Sequence, residues 1–310
     1  AQLNLNISYI NSHSEVTDFG GNKLATDATG VNISLNALPT ATGVSFSGTL
    51  TVGETLTGAY TYADADNDAE TGTTFKWYRS DDINGTNKAA IAGAIASTYD
   101  LTSADVDKYI SFEVTPNDGK NTGASVESDI QGPISKISQT ITFNTLETKT
   151  YGDASFDLTA TASSNLGLTY TSSNTNVATV SGNTVTIVGA GTTTLTASQS
   201  GDASYSAATD ANQLLTVNKA VLTATAEDKS KIYGEANPAF TITYSGFVNG
   251  EDETAITTEP TASTTADAST DVGTYDISLI GGAADNYSLI TNKGSLTIAK
   301  ATLTATADDK

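Results

Sequence analysis

One short stretch of the chain carries residue types and a spacing that could do chemistry: Tyr62-Ala63-Asp64-Ala65-Asp66-Asn67-Asp68-Ala69-Glu70. Carboxylates repeated at every second position of one loop can wrap a hard cation. Ca²⁺ takes six to eight oxygens at ~2.3–2.6 Å, and three aspartates with an asparagine between them supply oxygen only. Asp64, Asp66 and Asp68 are therefore the expected ligands of a Ca²⁺ ion, the one cofactor the sequence suggests. The twelve-residue EF-hand pattern is not met, because its central glycine and terminal glutamate are replaced by Ala69 and Phe75. A solvated acidic hairpin would use the same residues with no metal at all.

Other chemistries lack their residues. The chain has one histidine, His13, and no cysteine, so a Ser-His-Asp relay, a thiolate metal site and a disulfide all go unsupported. Its glycine clusters, Gly281-Gly282 and Gly189-Ala190-Gly191, read as turns between strands and not as phosphate loops. No catalytic site is expected, and the chain reads as a non-enzyme. With 35 acidic residues against 14 basic ones and a net charge of −21, the surface repels nucleic acid and anionic membranes. No apolar run approaches the ~18 residues of a membrane-spanning helix.

Sugar binding needs exposed aromatic platforms. Most of the 22 aromatic residues, such as Tyr60, Tyr62, Phe240 and Tyr244, fall on alternating strand positions and are expected in a core. Tyr78, out of phase with Trp77 and next to Arg79, is the best candidate for exposure.

The elements that must position these groups are strands. Threonine occurs 54 times in 310 residues, and a β-branched polar side chain suits the solvent face of a strand. Leu296 and Ile298 alternate with Thr297, then Leu303, Ala305 and Ala307 alternate with Thr302, Thr304 and Thr306. Val185 with Ile187, and Leu195 with Ala197, repeat the pattern around a Gly-Ala-Gly turn. Apolar-in, threonine-out alternation with frequent turns predicts β-sandwiches, with one helical turn near Leu101–Tyr109.

The chain also repeats itself. Lys136, Lys219 and Lys300 open similar stretches at intervals of 83 and 81 residues, and Lys149-Thr-Tyr-Gly-Asp returns 82 residues later as Lys231-Ile-Tyr-Gly-Glu. Two markers at one period define a module of about eighty residues. The seam at Lys219 runs from strand to strand without glycine or proline, which limits swivelling. Each seam lysine is expected near carboxylates of the adjoining module.

Upstream, Phe75 and Trp77 share a face opposite Lys76 and Tyr78, and Ser-Ala-Asp105-Val-Asp-Lys-Tyr109 follows. A central tryptophan and an Asp-x-x-x-Tyr corner match an immunoglobulin core, with Ser111 where antibody domains carry cysteine. The expected domains are 1–38, the end of a preceding module; 39–134, an Ig-like sandwich; 135–218, a bacterial Ig-like sandwich; 219–299, a further Ig-like sandwich; and 300–310, the first strand of the next. On this reading the chain is a window cut from a longer array.

These motifs resemble bacterial Ig-like repeats of large surface adhesins. Thr179 to Ala208 is similar to the closing half of a group-2-type bacterial Ig domain. Lys231 to Ile256, followed by Asp271 to Leu289 and Gly294 to Ala301, resembles the MBG repeat, whose Tyr-Gly-acid signature stands at Tyr233-Gly234-Glu235 and Tyr151-Gly152-Asp153. Gly48 to Glu70 with Lys76-Trp-Tyr-Arg79 is similar to repeats of huge surface proteins of gliding bacteria. The resemblance implies an all-β chain of tandem immunoglobulin-like β-sandwiches arranged end to end. It implies a secreted, cell-surface stalk that extends an adhesive region, with a role in gliding motility as the narrower expectation. Expected partners are neighbouring repeats of the same chain, the anchoring, secretion or motility machinery, and extracellular glycans. A carbohydrate- or matrix-binding module, or the spacer of an exported polysaccharide-active enzyme, would give a similar segment.

Overall fold

The computed structural model of the protein describes residues 36–306. The expected half-module over 1–38 and the tail from Ala307 to Lys310 lie outside these residues, apart from Asn36–Leu38. The chain divides into two compact units: one runs up to Ser138 and includes Gly201–Ser206, the other holds Gln139–Ser200 and the chain from Ala207 onward.

The first unit is a two-sheet sandwich. Strands β1 (Thr40–Ser47), β2 (Thr55–Ala63), β3 (Thr74–Ser80), β4 (Ala89–Ala90), β5 (Thr98–Asp100), β6 (Tyr109–Thr115) and β7 (Val126–Glu127) form sheets ordered β1-β2-β5 and β4-β3-β6-β7. The alternation read in β3 holds: Trp77 is wholly buried between the sheets and Phe75 packs on the same cluster. The indole meets Phe46 at 5.4 Å and Phe112 at 4.7 Å, and its N–H donates to the Ala96 carbonyl at 3.0 Å. Truncating such a ring costs ~3–5 kcal/mol. Phe112 in turn dictates Gly58, where a Cβ would lie 2.3 Å from its ring.

The expected helical turn is present as a 3₁₀ turn, Ser103–Asp105, but the corner differs from expectation. Asp105 is wholly buried, and its carboxylate accepts from the Thr102 amide at 2.7 Å, the Tyr99 hydroxyl at 2.9 Å and the Arg79 Nε at 2.6 Å. Tyr109 pairs with Ser80 in the β3–β6 ladder and takes no part. A buried carboxylate needs a cation and several donors, and Arg79, one strand away, supplies what a tyrosine could not.

The second unit begins with β8 (Ile141–Thr142), β9 (Lys149–Thr150), β10 (Phe156–Asp157), β11 (Thr161–Ala162), β12 (Thr169–Ser172), β13 (Ala178–Ser181), β14 (Thr184–Ile187), β15 (Gly191–Ser198) and β16 (Ala211–Asn218). It continues with β17 (Ala220–Ala226), β18 (Lys229–Ile232), β19 (Ile242–Ser245), β20 (Ile256–Thr258), β21 (Thr261–Ser263), β22 (Gly273–Ile280), β23 (Ala283–Ala284), β24 (Tyr287–Asn292) and β25 (Gly294–Ala299). The main sheets are β12-β15-β16-β9 and β10-β14-β13, then β19-β17-β24 and β18-β25-β22-β21. The same parallel pairing recurs in each half, β9 with β16 and β18 with β25.

Only Lys219 separates β16 from β17. Leu215 and Val217 before it, and Ala220 and Leu222 after it, are buried in one hydrophobic cluster that runs from Phe143 to Leu289. The repeat boundary at 218/219 thus falls inside a shared core. A second cluster, around Ile277, Leu296 and Ile298, fills the far half. Together the units are all-β, built of immunoglobulin-like sandwiches, and among the described residues no helix is long and apolar enough to cross a membrane.

Candidate functional site

The acidic loop leaves β2 and folds on itself. The Asp64 carboxylate accepts the Asp66 and Asp68 amides at 2.8 and 3.2 Å through Oδ1, and Asn67 takes the left-handed backbone (φ 62°) that closes the turn. This geometry brings the three expected residues together: one carboxylate oxygen each from Asp64, Asp66 and Asp68 lies within 4.8 Å of the others. Asp64 Oδ2 is buried without a hydrogen-bond partner, a costly state for a carboxylate oxygen. Asp66 accepts the Ala37 amide at 2.6 Å, and Asp68 holds the Lys120 ammonium at 2.8 Å. Glu70 stands apart, accepting from the Tyr60 hydroxyl. The donor set is all oxygen and fits a hard divalent cation better than zinc or copper. Lys120, remote in sequence, is the member that spacing could not reveal.

Tyr78, expected to be exposed, is half-buried. Its hydroxyl donates to Glu113 at 3.0 Å, and the Lys88 ammonium lies 5.0 Å above its ring. Lys88 also binds Glu127 at 2.6 Å, which accepts the buried Ser111 hydroxyl. The outer face of β3 and β6 is therefore a knit of charges and not a sugar platform. A shallow groove of about 330 Å³ lies along Ala92–Asp100; its aromatic residue, Tyr99, gives its hydroxyl to Asp105 and its ring to Trp77.

The most fully built site lies at the Lys219 seam, on the Tyr-Gly-acid turn. After β9, Asp153 accepts the Thr150 amide at 2.8 Å and closes the turn; the Tyr151 amide donates to the Asn218 carbonyl at 2.8 Å and fixes it to β16. Gly152 adopts φ +95°, and a Cβ there would lie 2.7 Å from Val248. The acid shapes the turn, the glycine lets the next module approach, and the tyrosine reaches across. Tyr151 is buried, meets the Tyr287 ring edge-on at 5.7 Å and donates to Glu251 at 2.7 Å. The Tyr287 hydroxyl donates to the other oxygen of Glu251 and accepts the Val248 amide at 3.1 Å. Asn249 and Gly250, both with positive φ, turn Val248 and Glu251 toward the same partner. Burial, then the bond to Glu251, push the Tyr287 hydroxyl up to about 12 and that of Tyr151 in the same direction.

Lys219 does not find the expected carboxylate, whereas Lys136 lies near one: the Tyr205 and Ser204 amides, and then the charge of Lys136, hold the Asp202 carboxyl below its ordinary value. Lys219 donates to the Ala284 carbonyl at 3.0 Å, and Lys136 to the Asp202 carbonyl. Beside Lys219, Asn286 accepts the Ala190 amide at 2.9 Å with its side chain and the Ala220 amide at 3.0 Å with its carbonyl. Ala284 ends β23, where a strand leaves a carbonyl without a ladder partner, and Lys219 satisfies it.

Immunoglobulin-like modules joined, within the second unit, through a tyrosine-centred seam define a protein of structural repeats. Residues 222–297 match the family described as the MBG domain of the YGX type, and the match contains Tyr233-Gly234-Glu235. No curated protein matches the chain. Similar solved structures include three N-terminal domains of the bacteriophage RB49 Highly Immunogenic Outer Capsid protein, at 15% identity and a TM-score of 0.28, over 84% of this chain and 100% of that one. The N-terminal four Ig domains of Dscam1 isoform 9.44 align at 13% identity and a TM-score of 0.28, over 86% and 74%. Drosophila N-cadherin EC1-4 aligns at 9% identity and a TM-score of 0.26, over 80% and 71%.

Proposed function

We propose that this chain is a non-catalytic spacer segment of a secreted bacterial surface adhesin, extending an adhesive region away from the cell. One observation carries the reading: the Lys219 seam is a single residue long and lies within a continuous hydrophobic cluster. A shared core resists swivelling where a flexible linker would permit it. The acidic surface keeps such strand-rich modules from sticking to one another. A role in gliding motility is the narrower form of the same proposal.

A stiff spacer should lose its stiffness when the seam is loosened. Inserting Gly-Ser-Gly-Ser after Asn218 should broaden the distance distribution between spin labels placed on β15 and β22. An unchanged distribution would show that the seam does not set the geometry. A carbohydrate-binding module would instead retain polysaccharide in affinity electrophoresis, and retention by the unmodified chain would replace the spacer reading.

A second role, stiffening of the first unit by Ca²⁺, is favoured by the unpartnered Asp64 Oδ2. Asp64, Asp66 and Asp68 would hold the ion, and Lys120 occupies Asp68 in its place.

A further inference from the structure

The Tyr-Gly-acid turn is built twice within the second unit, and among the described residues only the first copy packs against a loop of another repeat. At the second copy Glu235 accepts the Ile232 amide at 3.0 Å, the Tyr233 amide donates to the Ala299 carbonyl at 2.9 Å, and Gly234 has φ +92°. Each of these repeats the first copy, where Asp153, Tyr151 and Gly152 stand. The surroundings differ. Tyr151 is 6% exposed and Tyr233 is 44% exposed. A Cβ on Gly152 would strike Val248, whereas one on Gly234 meets nothing within 4 Å. Leu222, one turn past its seam, is wholly buried, and Leu303, its counterpart 81 residues on, is 94% exposed.

Positive φ alone calls for glycine at both turns; Gly152 meets a second demand, the close approach of Val248, and Gly234 is built to the same backbone. A large exposed leucine and an exposed tyrosine, both at positions whose counterparts are buried, are the composition of an interface and not of a free surface.

We propose that the Tyr233–Gly234 turn is a docking surface for the body of another module of the YGX type whose opening segment is Ala301–Thr306, the counterpart of β17, with Tyr233 as its anchor. The occupant presents what Tyr151 meets: a valine side chain against the glycine, a carboxylate that accepts the phenol, and an aromatic ring against its face. In this chain those groups come from Val248, Glu251 and Tyr287, so the competent partner carries a Phe-Val-Asn-Gly-Glu loop like 247–251. A second copy of this same chain cannot serve, because Tyr151 already fills its socket. The inference rests on the tandem-array reading only for the occupant's identity, and polysaccharide retention tests that reading separately.

The test replaces Ala301–Lys310 with a second copy of Ala220–Ala299 joined directly to Lys300. In the unextended chain Tyr233 should react readily with tetranitromethane, and Tyr233→Ala should leave the melting profile unchanged. In the extended chain Tyr233 should lose that reactivity. There Tyr233→Ala should lower the melting temperature of the appended copy by as much as Tyr151→Ala lowers that of its own seam. Continued nitration of Tyr233 with the appended copy folded, by hydrogen exchange of its strands, would overturn the proposal. So would failure of the appended copy to fold while Tyr151→Ala in the same chain still disrupts the first seam. Self-association of the unextended chain would also overturn it, since no socket is free.

Discussion

Tyr151 donates its phenolic hydrogen to Glu251 across 2.7 Å, although the two stand 100 residues apart in the chain. The bond joins a turn of one repeat to a loop of the next, and the Tyr287 hydroxyl shares the same carboxylate. Hydrogen bonds to a charged acceptor are worth ~1.5–3 kcal/mol each. Tyr151→Phe should therefore lower the unfolding free energy of the second unit by ~1.5–3 kcal/mol, measured by urea denaturation. A double-mutant cycle with Glu251→Ala should show strong coupling, and additive effects would mean that the bond contributes nothing.

The same cluster sets an alkaline limit. The folded state holds the Tyr287 phenol neutral, with its titration pushed from the ordinary 10.0 up to about 12 by burial and by Glu251. A group raised on folding contributes stability that is complete below its unfolded value and is lost as pH rises through its folded value. The seam should hold up to about pH 10 and weaken progressively toward 12. Phenolate absorbance should show Tyr287 titrating earlier in Glu251→Gln, while Tyr60, also raised to about 12 by burial and Glu70, stays where it is.

The two signature glycines should answer alanine differently. Gly152 and Gly234 share a left-handed backbone at φ +95° and +92°, but only Gly152 faces Val248. Gly234→Ala should cost ~1–2 kcal/mol, the strain of a side chain in that region. Gly152→Ala adds a collision to the same strain and should cost over twice as much, or force the turn off Val248. Equal losses in thermal melts would mean the close approach is not a constraint.

In the first unit the vulnerable pair is Arg79 and Asp105, in contact at 2.5 Å with the carboxylate wholly buried. Arg79→Leu removes the cation and leaves the carboxylate in place, a change that costs ~3–5 kcal/mol when the pair is buried. Asp105→Asn keeps the shape and several of the donors, and should cost less. The comparison is read from the denaturation midpoint of this unit.

Fold class was open to sequence reading because its signal is local. Alternation in β3 places Trp77 inside from seven residues alone, and threonine density marks the solvent faces of strands without any knowledge of pairing. The repeat interval located the Tyr-Gly-acid turns as well. What the turn is for was hidden, because Tyr151 acts on Glu251 and Tyr287 and Gly152 faces Val248, and no spacing rule links positions that far apart. Lys219 misled for a related reason: charge suggested a carboxylate, whereas the unsatisfied groups at a strand end are carbonyls such as that of Ala284. The Asp-x-x-x-Tyr motif points to Tyr109 because a motif fixes sequence distance, whereas the buried Asp105 carboxylate takes the hydroxyl that the fold brings near, that of Tyr99.

Lys120 offers a way to ask what the three aspartates do. Its ammonium neutralises Asp68 at 2.8 Å, and Asp64 Oδ2 beside it is buried with no donor. If the loop is a cation site, the lysine competes with the ion, and Lys120→Met should strengthen Ca²⁺ binding while weakening the metal-free loop. Ligand at a hundredfold excess over its dissociation constant stabilises the folded state by ~2.7 kcal/mol, enough to raise the melting temperature of the first unit visibly. Asp64→Asn should abolish that rise in the Lys120→Met background, because it removes charge from the one oxygen still seeking a partner. A titration of Lys120→Met that releases no heat and leaves melting unchanged would assign the aspartates to turn closure alone, with Lys120 as their permanent counter-ion.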